Sequence, residues 1–276
     1  MKKCIGACLN LLSYFSLPKA VSIAFKLFST PRKGRLKARE LSDFLSQAEQ
    51  YAISIDGQQI HCYKWNAHLV SKPLVLLIHG WESNSNRWEQ LVAFLGRENY
   101  RFVAFDAFGM GLSSGKVFNV PAYSNLIRQM LLHFEPSRVV SHSLGSFALL
   151  SSLAGHYYSF LEKVVLLGCP NRFKDVLVNY GDMMSYNSKL RNGIYDYAQT
   201  LIDVPLDDYA AEYYIEKFNL PVLLIHDRLD DVVVLEECHL FHERIKVANS
   251  HLVLTEGYGH SLQDAKVYQA IEDFIQ

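Results

Sequence analysis

A nucleophile, a base and an orienting acid need a particular set of side chains, and this chain carries such a set at the ends of apolar runs. Ser143 stands in "RVVSHSLGSFALL", residues 138–150. The run 138–142 reads as a strand and the run from Leu144 as a helix, with the serine at the junction. Ser-His-Ser-Leu-Gly differs by one residue from the G-x-S-x-G elbow, having Ser141 at the first glycine. A serine hydroxyl is a poor nucleophile without a base. His260 in "LTEGYGH" is such a base: it follows an apolar run, and Gly257 and Gly259 allow a tight loop. "IHDRLDDVVV" offers three acids, Asp227, Asp230 and Asp231, any of which could orient an imidazole or simply cap a turn. An acyl-transfer site also needs backbone N–H groups for an oxyanion. Leu144 follows the serine and Trp81 follows the turn His79-Gly80, so their N–H groups are the candidates.

These residues must be held by a scaffold. From residue 51 onward strand and helix signals alternate. "YAISIDGQQIHCYKW" is a hairpin about Asp56-Gly57. A continuous apolar run at 73–80 reads as a strand buried on both faces, and 101–106, 138–142, 163–168, 220–227 and 250–257 read as further strands. Helical periods lie at 86–96, 122–134, 144–154, 235–245 and 264–275. Alternation of this kind gives an α/β fold, a mostly parallel sheet with helices on both faces. Each candidate side chain then falls at a strand's carboxyl end. Residues 169–219 break the rhythm: rich in Tyr, with Met183 and Met184, they show no clear buried strand. An insertion of that length reads as a lid. Its aromatic residues could face an apolar acyl group or form the lid's own core.

The bulk numbers fit one such domain. The chain has 276 residues, half apolar and a fifth charged. A net charge of −1 gives the whole molecule no bias toward nucleic acid. Five scattered cysteines without a C-x-x-C read as reduced thiols in a cytosolic-type compartment. Residues 1–50 are separate in character. Two apolar stretches, interrupted at Pro18-Lys19, precede Arg32, Lys33, Arg35, Lys37 and Arg39, with no acid until Glu40. Neither stretch reaches the ~20 apolar residues of a spanning helix. Two readings remain: helices docked on the domain with a solvated basic linker, or peripheral contact of residues 4–39 with an anionic membrane.

Taken together, "LLIHGW" (76–81), "FDAFGMGLSSG" (105–115), "SHSLG" (141–145), "LLIHDRLDDVV" (223–233) and "EGYGH" (256–260) resemble the α/β-hydrolase fold family, in its lipase/esterase-like branch. Asp106, Gly109, Gly111 and Ser113 match that family's D-x-x-G-x-G-x-S turn. The resemblance spans residues 51–276 in family order. It implies a core of 51–168 and 220–276, a helical lid insertion at 169–219, and a serine hydrolase acting on a small-molecule ester or thioester. Ser143 would be nucleophile, His260 base and Asp230 acid, with Asp231 the alternative acid and Trp81 and Leu144 the oxyanion donors. No metal or cofactor is needed. The departures are Ser141 at the elbow and Val234 where many members carry proline.

Other classes fit less well. "GMGLSSG" is one residue too long for a dinucleotide fingerprint. Cys238, His239 and His242 share one predicted helix without further ligands nearby. A non-catalytic binding or scaffold protein on the same fold is the remaining rival, and such a relative usually lacks part of the Ser-His-Asp set.

Overall fold

Short runs of Val, Leu and Ile bounded by Gly, Pro and Asp bury both their faces only inside a sheet covered on both sides. The computed structural model, which describes residues 2–96 and 99–276, has this arrangement. The chain begins with helices α1 (Lys2–Phe15), α2 (Leu17–Ser29) and the single turn α3 (Asp43–Ser46). Strands β1 (Glu49–Ile55) and β2 (Gln58–Trp65) form the hairpin. Then come β3 (Leu74–Ile78), α4 (Glu89–Leu95), β4 (Arg101–Phe105), α5 (Val120–Phe134), β5 (Arg138–His142), α6 (Leu144–Leu153) and β6 (Lys163–Leu167). Helices α7 (Phe173–Met184), α8 (Ser188–Gln199) and α9 (Ala211–Ile215) form the insertion. The chain closes with β7 (Val222–Asp227), α10 (Leu235–His242), β8 (His251–Thr255) and α11 (Ala265–Ile275).

The eight strands lie in the order β1-β2-β4-β3-β5-β6-β7-β8. Strand β2 runs antiparallel to β1 and β4, and every pairing from β4 to β8 is parallel. Side chains alternate between the two faces, as strand geometry requires. Leu76, Val139 and Leu166 join the core under α5 and α6, while Leu77, Val140 and Leu167 join the core under α4 and α11. Because β3 and β5 to β8 are parallel, their carboxyl ends share one edge. Loops leaving that edge meet above β5.

The sequence limits shift locally. Strand β1 starts at Glu49, two residues inside the expected N-terminal segment. The helix expected over 86–96 is a 3-10 turn, Ser85–Trp88, running into α4. The helix expected over 235–245 ends at His242.

The N-terminal helices dock. Phe25 meets Tyr197 edge-on at 4.7 Å and Phe28 meets Tyr180 at 5.0 Å, so α2 packs on α7 and α8. Asn10 on α1 donates to the Ser185 carbonyl and accepts from the Asn187 N–H, both at 2.8 Å. The basic stretch is not a free linker. Leu36 N–H donates to Gly111 O at 2.9 Å, Gly111 N–H donates to Gly34 O at 2.7 Å, and Arg32 N–H donates to Glu82 at 2.8 Å. Its backbone lies on the core; Lys33, Lys37 and Arg39 are exposed, while Arg35 donates to the Gly115 carbonyl. Among the described residues no helix is long and apolar enough to cross a membrane.

Candidate active site

Strand β5 stops at His142 and α6 begins at Leu144, which leaves Ser143 at a sharp turn. Its backbone has φ 55° and ψ −131°. A non-glycine residue there carries strain of about 1–3 kcal/mol, held by the structure around it. The holding contacts are specific. Ser143 N–H donates to Leu167 O at 2.8 Å, and Ser143 O accepts from Ser146 N–H at 2.8 Å. A Cβ at Gly145 would lie 2.4 Å from His79 O, so only glycine lets α6 approach the β3 loop this closely. The Ser141 hydroxyl is 3.0 Å from both Val165 O and Ser146 Oγ. A carbonyl only accepts, so Ser141 donates to Val165 and receives the Ser146 proton. The core therefore accommodates serine at the elbow glycine's place, with its hydroxyl hydrogen-bonded.

His260 reaches this turn from the loop after β8. Its Nε2 is 2.9 Å from Ser143 Oγ, and its Nδ1 is 2.7 Å from Asp230 Oδ2. Asp230 Oδ1 accepts from the N–H groups of Val232 and Val233, both at 2.9 Å. Burial would push the Asp230 carboxyl up. The His260 hydrogen bond and those two N–H groups outweigh it and hold the carboxyl below its ordinary value. Asp231, the alternative acid, is exposed and lies off this line. Asp227 has a different task. It accepts from Leu229 N–H and Gly257 N–H with one oxygen and from the Thr255 hydroxyl and Tyr258 N–H with the other. It thereby ties the acid loop to the histidine loop.

The loop after β3 lies against Ser143. A Cβ at Gly80 would sit 2.8 Å from the Ser143 Cβ, so this turn also needs glycine. His79 Nε2 accepts the Ala107 N–H at 2.9 Å, which leaves the proton on Nδ1 to donate to Gly80 O at 2.8 Å. Among the described residues neither Trp81 N–H nor Leu144 N–H donates to a protein group. Two preorganised donors beside a serine can take a developing oxyanion. The matched turn at 106–113 is structural: buried Asp106 accepts from the Ser85 N–H and hydroxyl, Leu112 N–H and Tyr63 hydroxyl.

Two residues escaped the sequence reading. Arg87 donates to His142 Nδ1 at 2.9 Å, so the proton of that imidazole sits on Nε2 and is donated to His260 O at 2.7 Å. Arg87 also reaches Ser261 O at 3.2 Å. Burial and then the Arg87 charge hold His142 well below its ordinary value, so it stays neutral. The pair clamps the backbone that carries His260. The only available sequence signal was a histidine at the variable elbow position.

A cavity of about 340 Å³ is lined in part by Trp81 and Leu144, the residues that carry the two backbone donors, and not by Ser143 or His260 themselves. Trp81 and Leu144 form its floor, Phe173, Val176 and Tyr180 of α7 one wall, and Leu27 and Phe28 of α2 another. Lys2 and Arg32 line it as well. The insertion divides accordingly: Tyr186, Tyr209, Tyr214 and Met184 are buried in the helical layer, and Tyr180 and Met183 face the cavity. The α10 residues do not gather for a metal, since Cys238 is in the core and His239 is exposed. Among the described residues no three His, Cys, Asp or Glu side chains are grouped to hold one.

Comparison with known proteins agrees with this architecture. A family model described as "Serine aminopeptidase, S33" matches residues 70–184. A serine hydrolase-like protein of Danio rerio is 29% identical over 165 residues, covering 52% of this chain and 50% of that protein. Monoglyceride lipase of Homo sapiens is 27% identical over 104 residues, 34% of each chain. The chain therefore spans half the length of the first relative and a third of the second. The structure of a membrane phospholipase A, titled a bacterial virulence factor, superposes with a TM-score of 0.63 at 16% identity. That match covers 98% of this chain and 93% of the other, so it takes in the N-terminal helices. The parallel sheet, the elbow between β5 and α6 and these similarities together show that the chain has the α/β-hydrolase fold.

Proposed function

We propose that this protein hydrolyses carboxylic esters with an apolar acyl chain, through an acyl-enzyme on Ser143. The observation that supports this is the continuous line from Asp230 through His260 to the Ser143 hydroxyl, set beside two unengaged N–H groups. His260 Nε2 takes the Ser143 proton as Oγ attacks the acyl carbonyl. The N–H groups of Trp81 and Leu144 bind the oxyanion, and Asp230 steadies the imidazolium. His260 gives its proton to the leaving oxygen, then draws one from water, whose attack releases the acid and restores Ser143. The same steps serve a thioester.

The cavity supports an apolar acyl side. Its walls are aromatic and aliphatic, and its volume lies at the lower end of the ~300–1,000 Å³ of ligand pockets. A medium-length chain fits that description better than a bulky diacyl body. Lys2 and Arg32 at the lining disfavour the protonated amine of an aminopeptidase substrate. A monoglyceride lipase among the relatives agrees with an ester carrying one chain.

Labelling with a fluorophosphonate probe tests the nucleophile. Wild type is expected to label and Ser143→Ala not to. Labelling that survives in the variant removes Ser143 from the mechanism, and no labelling of folded wild type favours the scaffold alternative. On p-nitrophenyl esters, hexanoate and octanoate are expected to exceed both acetate and palmitate in kcat/KM.

A further inference from the structure

Helix α1 packs Leu9 and the half-buried Ile5 and Leu12 on the core, yet carries a second apolar face that its own domain does not cover. It buries Gly6, Leu9 and Ser13, two of them nearly without side chain, and leaves larger apolar groups outside. Leu11 is 61% exposed, Tyr14 67% and Phe15 81%. Cys4, Cys8, Leu11 and Phe15 follow one another at helical spacing, so the exposed groups form a stripe along one face. A stripe of this kind on a folded protein marks a contact surface.

The charge of the segment that carries the stripe points to the kind of contact. Residues 2–39 hold nine Lys and Arg and no acid. The whole chain has net charge −1, so everything from Glu40 onward carries −10. Salt bridges within this segment involve only Lys37 and Arg39 with Glu40, among the described residues. Lys3, Lys19 and Lys26 are exposed on the same two helices. We infer that the α1–α2 pair docks the protein on an anionic lipid surface, with the stripe through Leu11 and Phe15 set into the interface and the lysines at headgroup level. A helix of 14 residues, about 21 Å long at ~1.5 Å per residue, is too short to span and suited to lying flat. A second copy of the chain is disfavoured as the occupant, because a two-fold contact would set one +9 segment against another.

The same pair walls the cavity through Leu27, Phe28 and Arg32, so docking would hold the cavity beside its lipid. That last step rests on the ester-hydrolase reading; the docking itself does not.

Vesicle flotation tests it on the full chain, using phosphatidylcholine alone and phosphatidylcholine with about a third phosphatidylglycerol. Wild type is expected to float with the anionic vesicles only, and added salt to release it, since exposed charges are screened over about 10 Å or less. Leu11→Ser with Phe15→Ser is expected to lower partitioning by at least about tenfold, at unchanged melting temperature and unchanged hydrolysis of a short soluble ester. Ser143→Ala is expected to bind as wild type does, which separates this proposal from the catalytic one. Absent binding, equal binding to neutral vesicles, or a wild-type dimer that the double variant dissolves would each overturn it.

Discussion

The loops above the sheet edge and the helical layer over them are held by different physics. In the loops, each reactive side chain is fixed by directed contacts. Asp230 takes two N–H groups, His260 is gripped through its own carbonyl by His142, and Ser143 is wedged between two glycine approaches. In the helical layer, α1, α2, α7 and α8 meet mainly through apolar surfaces and aromatic edges such as Phe25–Tyr197. Directed contacts have one good geometry, whereas apolar packing tolerates many at similar energy. The difference puts chemistry on the rigid part and substrate fit on the adaptable part.

If that division holds, the largest effects belong to the loops. Asp230→Asn is expected to lower kcat by about 10⁴-fold, because an amide leaves His260 in the wrong tautomer and its imidazolium unsupported. Asp231→Asn is expected to leave kcat within about twofold, as for exposed surface substitutions. Steady-state kinetics of the two variants decide which acid serves. Equal losses would erase the distinction drawn from the geometry.

The clamp behind His260 comes next. Arg87→Leu removes the donor to His142 and frees that imidazole to turn. Misplacement of a reacting group by about 1 Å can reduce rate by about 10²-fold. The loss is expected in kcat with KM nearly unchanged, and Arg87→Lys is expected to recover only part of it. A KM effect alone would show that Arg87 serves the cavity and not the histidine.

What was legible in the sequence follows the same division. Strands β3 to β8 could be read because each is a short apolar run ended by turn residues, a local signal. Ser143, Asp230 and His260 could be named because each falls just past such a run. The Arg87–His142–His260 clamp could not be read, since it joins the turn after β3, the end of β5 and the turn after β8, which only the folded sheet brings together. The helical layer was ambiguous for a different reason. An amphipathic helix with flanking lysines has the same pattern whether it packs on protein or on lipid, and α1 has apolar groups for both. The tyrosines of 169–219 divide between core and cavity, and no spacing rule separates Tyr180 from Tyr186.

Smaller effects are expected in the helical layer, and they should change selectivity more than rate. Val176→Phe fills part of the cavity from α7. For p-nitrophenyl octanoate kcat/KM is expected to fall by about tenfold, the size of discrimination that a methylene or two supports in an apolar pocket. Acetate hydrolysis is expected to stay within about twofold. A parallel loss on both substrates would mean that α7 positions the loops as well.

The smallest expected effect is in stability, and its sign follows from the buried imidazoles. His79, His142 and His226 are buried, and burial is the first cause that lowers the pKa of each from 6.5. Above 6.5 these groups are neutral in both folded and unfolded chains and contribute no pH dependence. Below it the unfolded chain binds protons that the fold refuses, so unfolding is favoured as pH falls. Asp227 and Asp230 have lowered folded values, so their contribution is complete above 3.8 and is lost only at lower pH. The melting temperature is therefore expected to decline from about pH 6.5 downward, by about 2–4 °C for each kcal/mol lost, before Asp227 or Asp230 titrates. His142→Asn should make that decline shallower, because one refused proton is removed from the balance. A melting temperature that stays flat to about pH 5 would mean that these imidazoles charge inside the fold. His142 could then no longer accept from Arg87, and the rigid half of the molecule would be less rigid than its hydrogen bonds imply.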